Sequence, residues 1–270
     1  MGNKLKIGIV GCGAIGCELA IFLDKKFSHK AVLVAVCDIK KDMADNLCFQ
    51  LRRKPQVLSI DRLISVSDLI IEAASLAAAK SIVKKAVKAD KDILILSVGA
   101  FVEDEKLLPM VAASKSKLYV PSGAIAGIDG VSSLRKGQIK KLIITTSKPP
   151  RSLGGIPFLK KKGINLFKLI RERVVFDGNI RDAIKYFPQN INVAATLFLA
   201  SAFNNIRVII KADPNIARNV HRINVVAAEA NINIEVENFP SPNNPKTSYS
   251  TVLSVKTLLE KITSNIKIGS

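Results

Sequence analysis

The segment "KIGIVGCGAIGCELAIFLDKK", residues 6–26, decides how the first half of the chain folds. A strand-length apolar run, Lys6–Val10, meets three glycines at 11, 13 and 16 and passes into a run with helical spacing of Leu19, Ala20, Phe22 and Leu23. Glycine inside regular structure costs roughly 0.5–1 kcal/mol in lost backbone freedom. Three at this spacing therefore mark a sharp turn and a close approach to the backbone.

Working outward, the same alternation repeats. "AVLVAVCD" reads as a second strand, "KKDMADNLCFQL" as a helix, "DLIIEAAS" as a strand and "LAAAKSIVKKAVKA" as a helix. "DILILSV", helical "EDEKLLPMVAAS" and "KLYVPSG" complete the series. Strands apolar throughout and separated by helices predict a parallel sheet covered on both faces, a doubly wound α/β domain over residues 1–123. After Gly123 the pattern changes. "QIKKLIITTSKPP" alternates as a half-exposed strand, "NIRDAIKYFP" and "NVAATLFLASAF" read as helices, and "NIRVIIKADPN", "HRINVVAAEA" and "NINIEVENFP" read as longer strands. This predicts an α+β domain over 124–246. "SPNNPKTS" reads as a turn-rich break before a helix over 247–265 that is expected to pack back on the first domain.

Strand, then G-x-G-x-x-G, then helix is the context in which the motif signals a dinucleotide site of the Rossmann type. Gly11 makes the turn and Gly13 admits a pyrophosphate to the helix N-terminus, where Ala14 and Ile15 present their amides. Gly16 lets the helix pack on the first strand. Asp38 ends the second strand roughly 20 residues further on, placed to accept from a ribose 2′-hydroxyl and repel a 2′-phosphate. Lys40 and Lys41 follow at once, so exclusion of NADP should be incomplete.

Composition narrows the classes. The chain of 270 residues is 48% hydrophobic, with 41 Lys and Arg against 22 Asp and Glu, a net charge of +19. The basic residues are scattered, Trp is absent and aromatics are few, which argues against stacking on nucleic acid. No apolar run approaches the about 18 residues of a membrane span, and the N-terminus lacks a secretory pattern, so a soluble cytoplasmic chain is expected. Cys12, Cys17, Cys37 and Cys48 form no C-x-x-C pair, and His29 and His221 are the only histidines. No metal site is expected, and the thiols read as small apolar residues.

In the second domain, Lys148 and Arg151 flank the rigid "PP" as candidate carboxylate partners. Thr247 and Ser248 at the expected helix start read either as cap and turn or as a carboxylate site. By position alone His221 in "NVHRI" reads as structural more readily than catalytic, and an Asn of "QNINV" reads equally as a helix cap.

"PSGAIAGIDG" (121–130), "KYFPQNINVAATL" (185–197) and "NPKTSY" (244–249), with "TTSKPPRSL" and "NVHRI", resemble the L-aspartate dehydrogenase family in order and over nearly the whole chain. The resemblance implies oxidative deamination of L-aspartate to iminoaspartate with NAD or NADP, feeding NAD biosynthesis. It also implies a C-terminal catalytic and dimerisation domain, a homodimer, cofactor contacts from Ala124 and from Asn190 or Asn192, and His221 as the active-site residue. The competing readings are a homoserine or dihydrodipicolinate type of dehydrogenase, whose lysine-centred motifs are not found, and a nucleotide sensor without turnover.

Overall fold

The computed structural model describes residues 4–188, 191–242 and 244–268, the side chains of 244–247 excepted. Its elements run β1 (Leu5–Val10), α1 (Ala14–Lys25), β2 (Ala31–Cys37), α2 (Lys41–Phe49), β3 (Gln56–Val57), α3 (Ile60–Val66) and β4 (Leu69–Glu72). There follow α4 (Leu76–Lys88), β5 (Asp92–Ile95), α5 (Ala100–Glu103), α6 (Leu107–Ala112), β6 (Leu118–Tyr119), α7 (Ile128–Ser133) and β7 (Ile139–Lys148). The remainder is α8 (Pro157–Lys161), β8 (Arg173–Asn179), α9 (Ile180–Tyr186), α10 (Asn192–Ser201), β9 (Arg207–Ala212), β10 (Asn219–Ala227), β11 (Asn231–Asn238), β12 (Pro240–Ser241), β13 (Asn244–Ser248) and α11 (Tyr249–Thr263). Two compact units emerge, one ending at Pro121 and taking up Val252–Lys267, the other spanning Ser122–Thr251.

The first unit is a six-stranded sheet in the order β3-β2-β1-β4-β5-β6, parallel at every pairing. Its central strands are apolar on both faces: Ile7, Ile9, Ile70, Ile71, Ile93 and Leu94 are all fully buried. The order reverses between β1 and β4, so the carboxyl ends of those strands form the crevice where ligands of such sheets bind. Gly11 sits at the end of β1 with φ +101, and a Cβ on Gly16 would run into the Gly11 carbonyl oxygen. Only a bare Cα lets α1 lie this close to β1.

The second unit is a five-stranded mixed sheet, β11-β10-β7-β9-β8, with the β7–β9 pair parallel and the other pairs antiparallel. Alternation along each strand separates two faces. Leu142, Ile144, Val208, Ile210, Ile223 and Val225 are buried on one, while Ile143, Thr145, Ile209, Asn224 and Val226 are half-buried on the other. An aromatic cluster of Phe158, Phe176, Tyr186 and Phe187, with ring centroids 4.3–6.3 Å apart, anchors α8 and α9 to β8.

Three local expectations are corrected. "EDEKLLPMVAAS" is not one helix: it breaks at Asp104, which is extended and whose Oδ1 accepts from the Lys106 amide at 3.2 Å. "SPNNPKTS" is more than a turn, for Pro240–Ser241 and Asn244–Ser248 pair antiparallel. The last helix begins at Tyr249, so Thr247 and Ser248 close β13 and do not start the helix. No helix among the described residues is long and apolar enough to cross a membrane.

Candidate active site

At the glycine loop, helix α1 begins after Gly13, which provides no side-chain cap, and carries no acidic residue in its first turn. The amides of its first turn, at Ala14, Ile15 and Gly16, are thus left for an anion, and the helix dipole favours one there. A Cβ on Gly13 would meet nothing within 4 Å, which leaves space for a ligand against the backbone. The residues present fit a dinucleotide pyrophosphate.

Asp38 is held by the backbone of the glycine loop. Its Oδ2 accepts from the Cys12 amide at 2.7 Å and its Oδ1 from the Lys40 amide at 2.8 Å, so the carboxylate ties the glycine loop to the end of β2. Each oxygen keeps a further lone pair for a ribose hydroxyl. Cys12 is buried, and burial followed by the Asp38 charge pushes its thiol up to about 12, which leaves it unreactive. Among the described residues no cluster of three or more His, Cys, Asp or Glu is arranged to hold a metal.

Glu72 was not singled out from the sequence. It ends the apolar run "LIIE" with no exposure at all and accepts from the Ala74 amide (2.9 Å), the Leu96 amide (3.2 Å), the Ser97 amide (2.8 Å) and the Ser97 hydroxyl (2.9 Å). Burial raises its carboxyl above the usual range, and these hydrogen bonds oppose that rise. The carboxylate thereby binds together the loops after β4 and β5 on the crevice edge of the sheet.

In the second unit, His221 on β10 stands in register with Thr146 on β7 and Val236 on β11. Its Nδ1 lies 2.9 Å from Thr146 Oγ1. With Thr146 donating, Nε2 carries the ring proton; with Nδ1 donating, Nε2 is the free base. Lys148 lies two residues beyond Thr146, on the same face and diagonal to His221, a separation of about 7–8 Å that a lysine spans. All three are buried, at 4%, 8% and 4% exposure for Thr146, Lys148 and His221. Burial lowers the Lys148 ammonium to about 8. Burial, then the Lys148 charge, lowers His221 from the ordinary ~6.5 to about 3.

The other sequence candidates separate. Arg151 stands exposed on the turn after β7, its guanidinium donating to the Ala217 carbonyl at 3.4 Å. Ala124 is buried, and its carbonyl accepts from Asn238 Nδ2 at 2.9 Å; Asn238 Oδ1 in turn accepts from Ser250. Asn192 opens α10 half-buried, after Ile191 at the cap position. Asn190 lies outside the described residues, as does the side chain of Thr247, and Ser248 is buried at the end of β13. Thr146 and Asn238 were missed, although each places a polar residue on the apolar register of an alternating strand.

Residues 129–262 match the family model described as aspartate dehydrogenase, C-terminal, and residues 11–121 match that of the homoserine dehydrogenase NAD-binding domain. The chain is 42% identical to an L-aspartate dehydrogenase of Methanosarcina mazei, over 98% of this chain and 100% of that one. An L-aspartate dehydrogenase of Nitrosopumilus maritimus is 37% identical over 98% of this chain and 99% of its own. The crystal structure of aspartate dehydrogenase from Thermotoga maritima superposes with TM-score 0.77 at 29% identity, covering 99% of this chain and 100% of that chain. A homoserine dehydrogenase from Thiobacillus denitrificans shares the fold alone, with TM-score 0.59 at 11% identity over 97% of this chain and 75% of its own.

Two outcomes follow from the geometry. Gly16→Ala is expected to unfold at markedly lower temperature, whereas Gly13→Ala should melt close to wild type and yet lose dinucleotide affinity in calorimetry; equal affinity in Gly13→Ala removes the loop from the site. On acidification between about pH 6.5 and about pH 3, unfolded chains bind the His221 proton and folded ones do not, so stability falls with pH by up to ~1.4 kcal/mol per unit. Denaturant titrations should show that slope reduced in His221→Gln, and an unchanged slope refutes the buried neutral imidazole.

Proposed function

The chain belongs to the L-aspartate dehydrogenase family, and from that premise we propose that it oxidises L-aspartate with NAD or NADP to iminoaspartate, which water converts to oxaloacetate and ammonia. The observation that carries this reading is the buried row of Thr146, Lys148 and His221 on one sheet face, in a chain whose other unit is shaped for a dinucleotide. The dinucleotide, when bound, supplies the hydride acceptor.

The residues of the chain supply placement. Gly11, Gly13 and Gly16, with the amides of Ala14 and Ile15, hold the pyrophosphate, and Asp38 takes the ribose. Lys40 and Lys41, both exposed beside Asp38, leave room for the 2′-phosphate of NADP. Ala124 and Asn190 or Asn192 serve the nicotinamide end. Lys148, Arg151, Thr247 and Ser248 are the candidates to hold the substrate carboxylates by hydrogen bonds. A bound dicarboxylate raises the basicity of His221, which then activates the water that attacks the imine. The unstable product suits a supply line into NAD biosynthesis, and the four free cysteines suit a reducing cytoplasm.

We also read the protein as a homodimer joined through the second sheet. Ile143, Ile209 and Val226 are half-exposed on the face opposite His221, among the ion pairs Arg207–Asp177 and Arg222–Glu235. Such a face, mixing half-exposed apolar side chains with paired charges, suits a self-complementary contact.

Aspartate-dependent reduction of NAD and NADP, run beside homoserine and other amino acids, tests the activity. Only aspartate should drive reduction, and His221→Ala should lose roughly 10²- to 10⁴-fold in turnover. A folded wild type that binds the cofactor but leaves aspartate untouched would be a nucleotide sensor instead. Sedimentation should give twice the chain mass, reduced to one chain by Ile209→Glu; a monomeric wild type at micromolar concentration ends the dimer reading.

A further inference from the structure

Oxidation of an α-amino acid needs a step that phosphate binding and carboxylate clamping do not perform. At neutral pH the substrate nitrogen is an ammonium, with no lone pair to form the C=N bond as hydride leaves Cα. Some group must first take a proton from it.

We infer, resting on the dehydrogenase reading above, that Lys148 is this proton acceptor, from its place on the inner face of β7 beside Thr146 and diagonal to His221. Neutral Lys148 Nζ takes one proton from the substrate ammonium. The freed nitrogen lone pair then forms the C=N bond while the Cα–H electron pair leaves as hydride to the nicotinamide. The products are a protonated imine, the reduced dinucleotide and a Lys148 ammonium, which returns its proton to solvent as product departs.

The surroundings favour this division of labour. The Lys148 backbone is pinned, its carbonyl accepting from the Asp213 amide at 2.9 Å. From β10 the titratable neighbour on the same face is His221, and from β9 the register partner is Ala212. Lys211 alternates to the opposite face and pairs with Glu172 at 2.7 Å, while the Asp213 carboxylate accepts from the Asn215 amide and acts on Arg222. Burial lowers Lys148 to about 8, well matched to an amine proton, and lowers His221 further, to about 3.

Arginine at this position separates a base from a clamp, because guanidinium keeps the charge and does not deprotonate. In Lys148→Arg the KM for aspartate should stay near wild type while kcat falls at least about 100-fold. Lys148→Ala should regain turnover with added ethylamine in proportion to its free-base fraction, and thermal melts check that both variants fold. In wild type, NMR titration of the Lys148 Nζ, assigned by its loss in Lys148→Met, should give a value near 8. Near-normal kcat in Lys148→Arg, no amine rescue in folded Lys148→Ala, or an Nζ that titrates above about 10 each overturns the assignment. A wild type inert toward aspartate overturns the dehydrogenase reading itself, an outcome distinct from active wild type with active Lys148→Arg.

Discussion

The bare Cα of Gly16 rests against the Gly11 carbonyl oxygen with no room for a side chain between them. From that contact follow the position of α1 on β1, the aim of its first-turn amides, and the open backbone at Gly13. Gly11 itself holds a positive φ and lies against the backbone of Ala73 and Ala74, so the loop after β4 is fitted to the glycine turn. Asp38 and Glu72 complete the arrangement from either side, each a carboxylate accepting backbone amides. A carboxylate without exposure, such as Glu72, is tolerable only when its oxygens are satisfied in this way.

In the second unit the constraint is of another kind. Thr146, Lys148 and His221 occupy positions where β7 and β10 elsewhere place Leu142, Ile144, Ile223 and Val225. Burying an amine and an imidazole there works against stability, and the basicity of both groups is lowered as a result. Such lowered basicity, at two groups diagonal to each other on one sheet face, is the pattern that the proposed chemistry draws on. Asn238 plays a supporting part, fixing Ala124 to the end of β11.

Much of this was legible beforehand. The repeating alternation of apolar strand and amphipathic helix specified the parallel sheet, and the glycine spacing specified the turn at which α1 begins. The same alternation contained signals that went unread. Glu72, Thr146 and Asn238 each interrupt the apolar register of a strand, which marks a buried polar group in need of partners. The long amphipathic helices α1 and α4 were readable because local periodicity governs them, whereas β3 is held by pairing with β2, distant in sequence, and the short β12–β13 pair lacks an apolar alternation to announce it.

The amino-acid sequence by itself determined the two-part architecture, the glycine turn and the family, because each is written in local spacing or in long stretches of identity. Only the tertiary structure decided which candidates lie together. Lys148 and Arg151 are neighbours along the chain, yet one turns into the buried face and the other stands exposed on the turn beyond it. Lys148 and His221 are far apart along the chain, yet antiparallel pairing of β7 with β10 places them diagonally across one sheet face. The strength of each as a base was decided there too, since it depends on burial and on a neighbouring charge, and neither exists until the sheet has formed.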